Sequence, residues 1–99
     1  MEILNSLYDF FPTAVNTGSC LVLVSEDWKV EMWEHRKRPL DSPENEKVFI
    51  RVKFFKKMLN GQWIQDQYVD FDFKSINVLA DQIERYIQFS IGKKYRENP

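Results

Sequence analysis

Cationic and aromatic side chains alternate with aliphatic ones along Lys47-Val48-Phe49-Ile50-Arg51-Val52-Lys53-Phe54-Phe55-Lys56-Lys57. The run continues through Met58-Leu59 into Asn60-Gly61, and a second strand-like stretch extends from Gln62 to Phe71. Successive side chains of a strand point to opposite faces, so Arg51, Lys53, Phe55 and Lys57 share one face and Ile50, Val52 and Phe54 the other. Cations set beside exposed rings suit single-stranded nucleic acid. The cations follow phosphates, with a salt-dependent contribution, and the rings stack on unpaired bases for roughly 1–3 kcal/mol each.

Asn60-Gly61 predicts a hairpin, because a two-residue type I′ turn needs φ > 0 at both central positions. Leu59 would then oppose Gln62. Ile50, Val52 and Phe54 would face Phe71, Val69 and Gln67 on the apolar side. On the other side Arg51 would face Asp70, Lys53 Tyr68, Phe55 Asp66 and Lys57 Ile64. Upstream, residues 28–36 also alternate, with Trp28, Val30 and Met32 on one face and Lys29, Glu31, Trp33 and His35 on the other. The candidate phosphate contacts are therefore Lys29, Arg36, Arg51, Lys53 and Lys57. The candidate stacking rings are Trp33, Phe55 and Tyr68, with Trp63 beside the turn and His35 at the rim. A plain solvated face is the competing reading, since Lys and Arg on open strands also serve solubility and discourage edge pairing. Arg51 opposite Asp70 would then be a cross-strand ion pair. Several large rings on that same face favour a binding surface.

These residues need a sheet with one side covered. From about Lys74 to Ile91 the spacing becomes helical, and Ile76, Leu79, Ala80, Ile83 and Ile87 form the apolar stripe. Asp72 or Ser75 can cap its start, and Gly92 suits its stop, with Lys93 and Lys94 at the negative end of the dipole. Val78, Tyr86 and Phe89 fall off the stripe, an apolar surplus that suggests a dimer contact. Cys20–Val24 reads as a buried strand. Ile3, Leu4, Leu7, Tyr8 and Phe11 recur at helical spacing before Pro12, and the segment reads equally as a helix or as an extended arm. The proline-containing stretch from Arg38 to Glu46 reads as a solvated loop. The expected fold is α+β, a four-stranded antiparallel sheet followed by one C-terminal amphipathic helix. Residues 1–27 form an acidic extension that includes the first strand, 28–91 the sheet-and-helix domain, and 92–99 a basic tail.

Ninety-nine residues, 43% hydrophobic and 15% aromatic, describe one small domain with a single core. The net charge of −1 excludes a protein coated in positive charge, but it is unevenly spread. Residues 28–57 hold nine Lys and Arg against five acids, while 1–27 contain four acids and no base. One Cys (Cys20) and one His (His35) cannot form a disulfide or the usual zinc ligand set. Cys20 is expected to be a buried, inert thiol. There is no Gly-rich phosphate loop and no supported nucleophile triad. Asp66, Asp70 and Asp72 are expected to be solvated or paired with Lys53 and Arg51 rather than to hold a metal. The expectation is a non-enzyme with no cofactor. No apolar run approaches the ~18 residues of a spanning helix, and Met1-Glu2 lacks the basic start of a signal peptide, so the chain reads as intracellular.

The order of strands, the Asn60-Gly61 hairpin and the helix through Ile76, Leu79 and Ile83 resemble the positive-cofactor-four family of transcriptional coactivators. The similar stretch runs from about Trp28 to Ile87, and its best part is Val48–Lys57. The resemblance implies a homodimer formed through the helices, with paired curved sheets holding single-stranded DNA. It implies roles in transcription, replication or recombination, in cytoplasm, nucleoid or nucleus, and a virus-encoded origin suits such a domain equally. The stretch Gln65–Asp70 departs from the family pattern, being acidic where the family carries lysines. RNA offers the same phosphates and unpaired bases. The alternative is a protein-interaction module, a small inhibitor or assembly factor, that uses the apolar helix surface and the N-terminal segment on a partner in replication or transcription.

Overall fold

Alternation along the central strands decides the architecture, because one side of each can be buried only if something packs on it. The computed structural model describes residues 2–41 and 44–96. In chain order these form α1 (Glu2–Tyr8), β1 (Val15–Asn16), β2 (Leu21–Val24), β3 (Trp28–Lys37), β4 (Lys47–Lys57), β5 (Trp63–Asp72) and α2 (Ile76–Arg96). The strands make one antiparallel meander in the order β1-β2-β3-β4-β5. The fold is α+β, as the sequence implies, but the sheet has five strands rather than four. The fifth is the two-residue β1, in which Val15 pairs with Val22 and Asn16 with Leu21; it is too short to leave a periodic signal.

Both helices lie on the same side of the sheet. Leu4, Leu7 and Phe11 from the N-terminal segment join Leu21, Val30, Met32, Ile50, Val52 and Phe54 from the strands in one core. Leu79, Ala80, Ile83 and Ile87 of α2, the stripe marked by its spacing, close that core. The N-terminal segment is thus a helix rather than an arm, and Leu4 and Leu7 are fully buried. Its start is held by a strand: the Ile3 and Leu4 N–H groups donate to Glu34 Oε1 at 3.1 and 3.3 Å. These amides have no partner inside their own helix. Burial pushes the Glu34 carboxyl up, but the positive and hydrogen-bonding groups around it, the Leu4 amide and Arg36 among them, outweigh it, and the group lies below the usual carboxylate range.

Ser75 caps α2, its Oγ accepting from the Val78 N–H at 3.3 Å while its carbonyl accepts from Leu79. Gly92 does not end the helix, which continues to Arg96. A glycine inside a helix costs about 1 kcal/mol but leaves the hydrogen-bond ladder intact. Of the basic tail, residues 97–99 and the side chains of 93–96 lie outside the described residues. Cys20 is free and buried.

The hairpin departs from the expected turn in two places. Lys57 pairs with Trp63, the Met58 N–H donates to the Gln62 carbonyl at 2.8 Å, and the Gly61 N–H donates to the Met58 carbonyl at 2.8 Å. Only Gly61 takes a positive φ (87°), and Asn60 does not. This is a three-residue loop closed by a left-handed glycine, not a type I′ turn. It offsets the pairing by one residue, and a bulge between Phe54 and Phe55 restores it, with Asp66 the unpaired residue of β5. From Phe54–Gln67 to Phe49–Asp72 the register follows the simple hairpin rule. Nearer the turn, Phe55 faces Gln65 instead of Asp66, and Lys57 faces Trp63 instead of Ile64.

Candidate nucleic-acid interface

With both helices on one side, the odd-numbered residues of β3 and β4 occupy the open side. Pairing sets them in rows: Val24–Lys29–Phe55–Gln65, then Val22–Glu31–Lys53–Tyr68, then Trp33–Arg51–Asp70, then His35–Phe49–Asp72. Lys57 and Trp63 lie toward the turn. The bulge matters here, because its offset brings Trp63 onto this face and turns Ile64 to the other.

Cations and rings interleave. Lys29 Nζ lies 4.4 Å from the Phe55 ring centre and 5.5 Å from that of Trp63. Lys53 Nζ sits 5.1 Å from Trp33, the Arg51 guanidinium 4.7 Å from Tyr68, and Lys57 Nζ 5.5 Å from Trp63. All are within the ~6 Å range of cation–π attraction. Trp33, Phe55 and Trp63 are half-buried by these neighbours, and Tyr68 is 53% exposed.

Two carboxylates are woven into the array. Glu31 pairs with Lys29 at 3.2 Å and accepts from Trp33 Nε1 at 3.0 Å, which holds the indole in place. Asp70 takes a two-pronged bond from Arg51, Nε to Oδ1 at 2.8 Å and Nη2 to Oδ2 at 3.0 Å. That bond holds the Asp70 carboxyl below its usual range and raises the guanidinium further. Among the described residues, neither Lys53 nor Lys57 lies within ion-pair distance of a carboxylate. Asp66 pairs with Lys56 at 3.4 Å rather than with Lys53.

Of the sequence-derived site residues, Lys29, Trp33, Arg51, Lys53, Phe55, Lys57, Trp63 and Tyr68 come together on the open face. Arg36 does not. Its even number puts it on the helix side, where it pairs with Glu34 at 3.2 Å and Glu46 at 3.4 Å. Phe49 joins the face although it did not stand out as a site residue; it stacks on His35 at 5.2 Å and lies 5.8 Å from Arg51. Its signal was available, since it shares the odd parity of Arg51 and Lys53.

Of the helix residues off the stripe, Val78 and Phe89 are exposed, Phe89 to 68%. Tyr86 is used within its own chain: half-buried, it meets the Phe71 ring edge-on at 5.9 Å, and burial pushes its phenol up. Among the described residues, no group of three His, Cys, Asp or Glu is placed to hold a metal ion, and no helix is long and apolar enough to cross a membrane.

Comparison of the chain with protein-family models, curated proteins and solved structures returned no match.

Proposed function

We propose that the protein binds single-stranded nucleic acid, DNA foremost, along the open face of its sheet, with little sequence preference and without catalysing a reaction. The observation that carries this reading is that Trp33, Phe55, Trp63 and Tyr68 each lie within 4.4–5.5 Å of a cation on the side of the sheet that neither helix covers. A strand laid there meets a charge for each phosphate it brings near a ring. Lys53 and Lys57 make the first phosphate contacts, since neither lies within ion-pair distance of a carboxylate among the described residues. Lys29 and Arg51 must exchange Glu31 and Asp70 for phosphate. Trp33, Phe55, Trp63 and Tyr68 stack on bases, each worth roughly 1–3 kcal/mol.

In this reading the exposed Val78 and Phe89 of α2 meet a second copy and double the face. Transcription, replication and recombination all expose such strands, and the resemblance to the positive-cofactor-four family points the same way. The test is fluorescence polarisation with oligo-dT, duplex DNA and RNA at low and high salt, with mass measured by light scattering. Binding to oligo-dT that weakens steeply with salt and quenches tryptophan emission is expected. No binding of single strands at 50 mM salt and micromolar protein, roughly the conditions that favour phosphate contacts most, would overturn it.

One observation favours a second reading, a protein-interaction module. On the helix side, Phe10, Phe11, Leu23, Trp28 and Ile87 line an open cleft of about 310 Å³, the kind of apolar recess that takes a partner's anchor residue. A stoichiometric protein partner that binds when oligo-dT does not would establish it.

A further inference from the structure

The tip of the β4–β5 hairpin presents apolar side chains where turns ordinarily place polar ones. Leu59 is fully exposed and Met58 nearly half exposed. The turn that carries them is well tied. The Met58 and Gln62 backbones are bonded, Gly61 supplies the left-handed residue, and Asn60 Oδ1 accepts from the Gln62 N–H at 3.0 Å. Below the tip, among the described residues, the Lys57 N–H donates to the carbonyl of Asp27, just before β3, at 3.2 Å. Lys57 and Trp63 stand directly behind the tip, on the open face.

We propose that this tip is a wedge that seats against the last base pair where single-stranded nucleic acid meets duplex. The inference rests on the open face holding the single strand, and it names the form of substrate that face prefers. A strand running over Lys57 and Trp63 would bring its paired portion against Met58 and Leu59. The end of a duplex is a flat apolar surface, and Leu and Met are among the side chains that proteins press against or between base pairs. A lipid bilayer is the competing partner for an apolar tip. Two side chains carry far less apolar surface than one acyl chain, which itself binds only marginally. Continuity with the cation–ring face also favours the junction.

The test uses the full chain, oligo-dT, and the same strand bearing a duplex at one end with a fluorescent purine analogue in the terminal pair. The wild type is expected to bind the junction roughly fivefold tighter than oligo-dT, about what one stacked contact contributes, and to brighten the purine. Leu59→Ser, alone or with Met58→Ser, should keep oligo-dT binding and lose both the junction advantage and the brightening, while Leu59→Phe should keep all three. Equal wild-type affinity for the two substrates, or an advantage that survives in the double variant, overturns the wedge and leaves the open-face reading standing. Failure to bind oligo-dT at all overturns both. Sedimentation with phosphatidylserine vesicles that is lost in Leu59→Ser, without a junction preference, would give the tip to a membrane.

Discussion

The two faces of β4 are made by alternate residues of one eleven-residue strand, yet they are stabilised by different means. On the helix side, Ile50, Val52 and Phe54 are at most 2% exposed and are covered by residues from both helices and three other elements. On the open side, Arg51, Lys53 and Phe55 are half-buried, and what covers them is one another and their cross-strand neighbours. Burial on the first side comes from folding and needs no partner. On the second side rings are partly shielded by the ammonium and guanidinium groups set over them. The same alternation therefore marks a core on one face and an interleaved array of cations and rings on the other.

That contrast can be broken from the core side with the largest effect. Phe54→Ala leaves a cavity among Val30, Val52, Trp28 and the helices, and is expected to cost about 3–5 kcal/mol. In a domain stabilised by roughly 5–15 kcal/mol, chemical denaturation should show a large loss or an unfolded chain. Its neighbour Phe55→Ala should leave the denaturation midpoint nearly unchanged and weaken oligo-dT binding by about 1–3 kcal/mol, the contribution of one stacked base. Comparable stability losses at both positions would show that the open face is an ordinary half of the structure.

Acid sharpens the comparison further. Glu34 on the helix side and Asp70 on the open side both lie below their ordinary values. A carboxyl whose folded value is depressed stabilises the fold above its unfolded value, and that stability is lost as pH falls through the folded one. Stability should therefore decline below about pH 4–5, the ordinary carboxylate range. Glu34→Gln should flatten that decline and lower stability at neutral pH by about 1 kcal/mol, as other lost helix caps do. Asp70→Asn should do less, because its pair with Arg51 is open to solvent and such pairs contribute about 0–1 kcal/mol. Its clearer effect belongs to binding. Releasing Arg51 should tighten oligo-dT binding severalfold and steepen the salt dependence by about one phosphate.

The parts legible in the sequence were those set by a single period. The alternation of β4 and the stripe of α2 each follow from one rule applied locally, and so does the register from Phe54–Gln67 outward. The parts that were not legible depend on contacts between distant segments. Asn60-Gly61 is compatible with two loop lengths, and the choice rests on whether β5 can absorb a bulge at Asp66. Glu34 continues the phase of Trp28, Val30 and Met32, a charge where an apolar residue belongs. Its purpose appears only when the amides of Ile3 and Leu4, some thirty residues earlier, are placed against it. Arg36 was misplaced by its charge, although its parity already assigned it to the helix side.

The bulge at Asp66 also bears on how the hairpin tolerates changes in length. The loop offset and the bulge offset are of one residue each and opposite in sense. Deleting Asp66 would join Gln65 directly to Gln67 and leave the cross-strand partners as they are, from Lys57–Trp63 to Phe49–Asp72. Deleting a paired residue such as Tyr68 would instead turn one flank of β5 over, exchanging what it shows on the open face with what it shows to α2. Asp66 is thus a position whose removal lets both faces keep their identity.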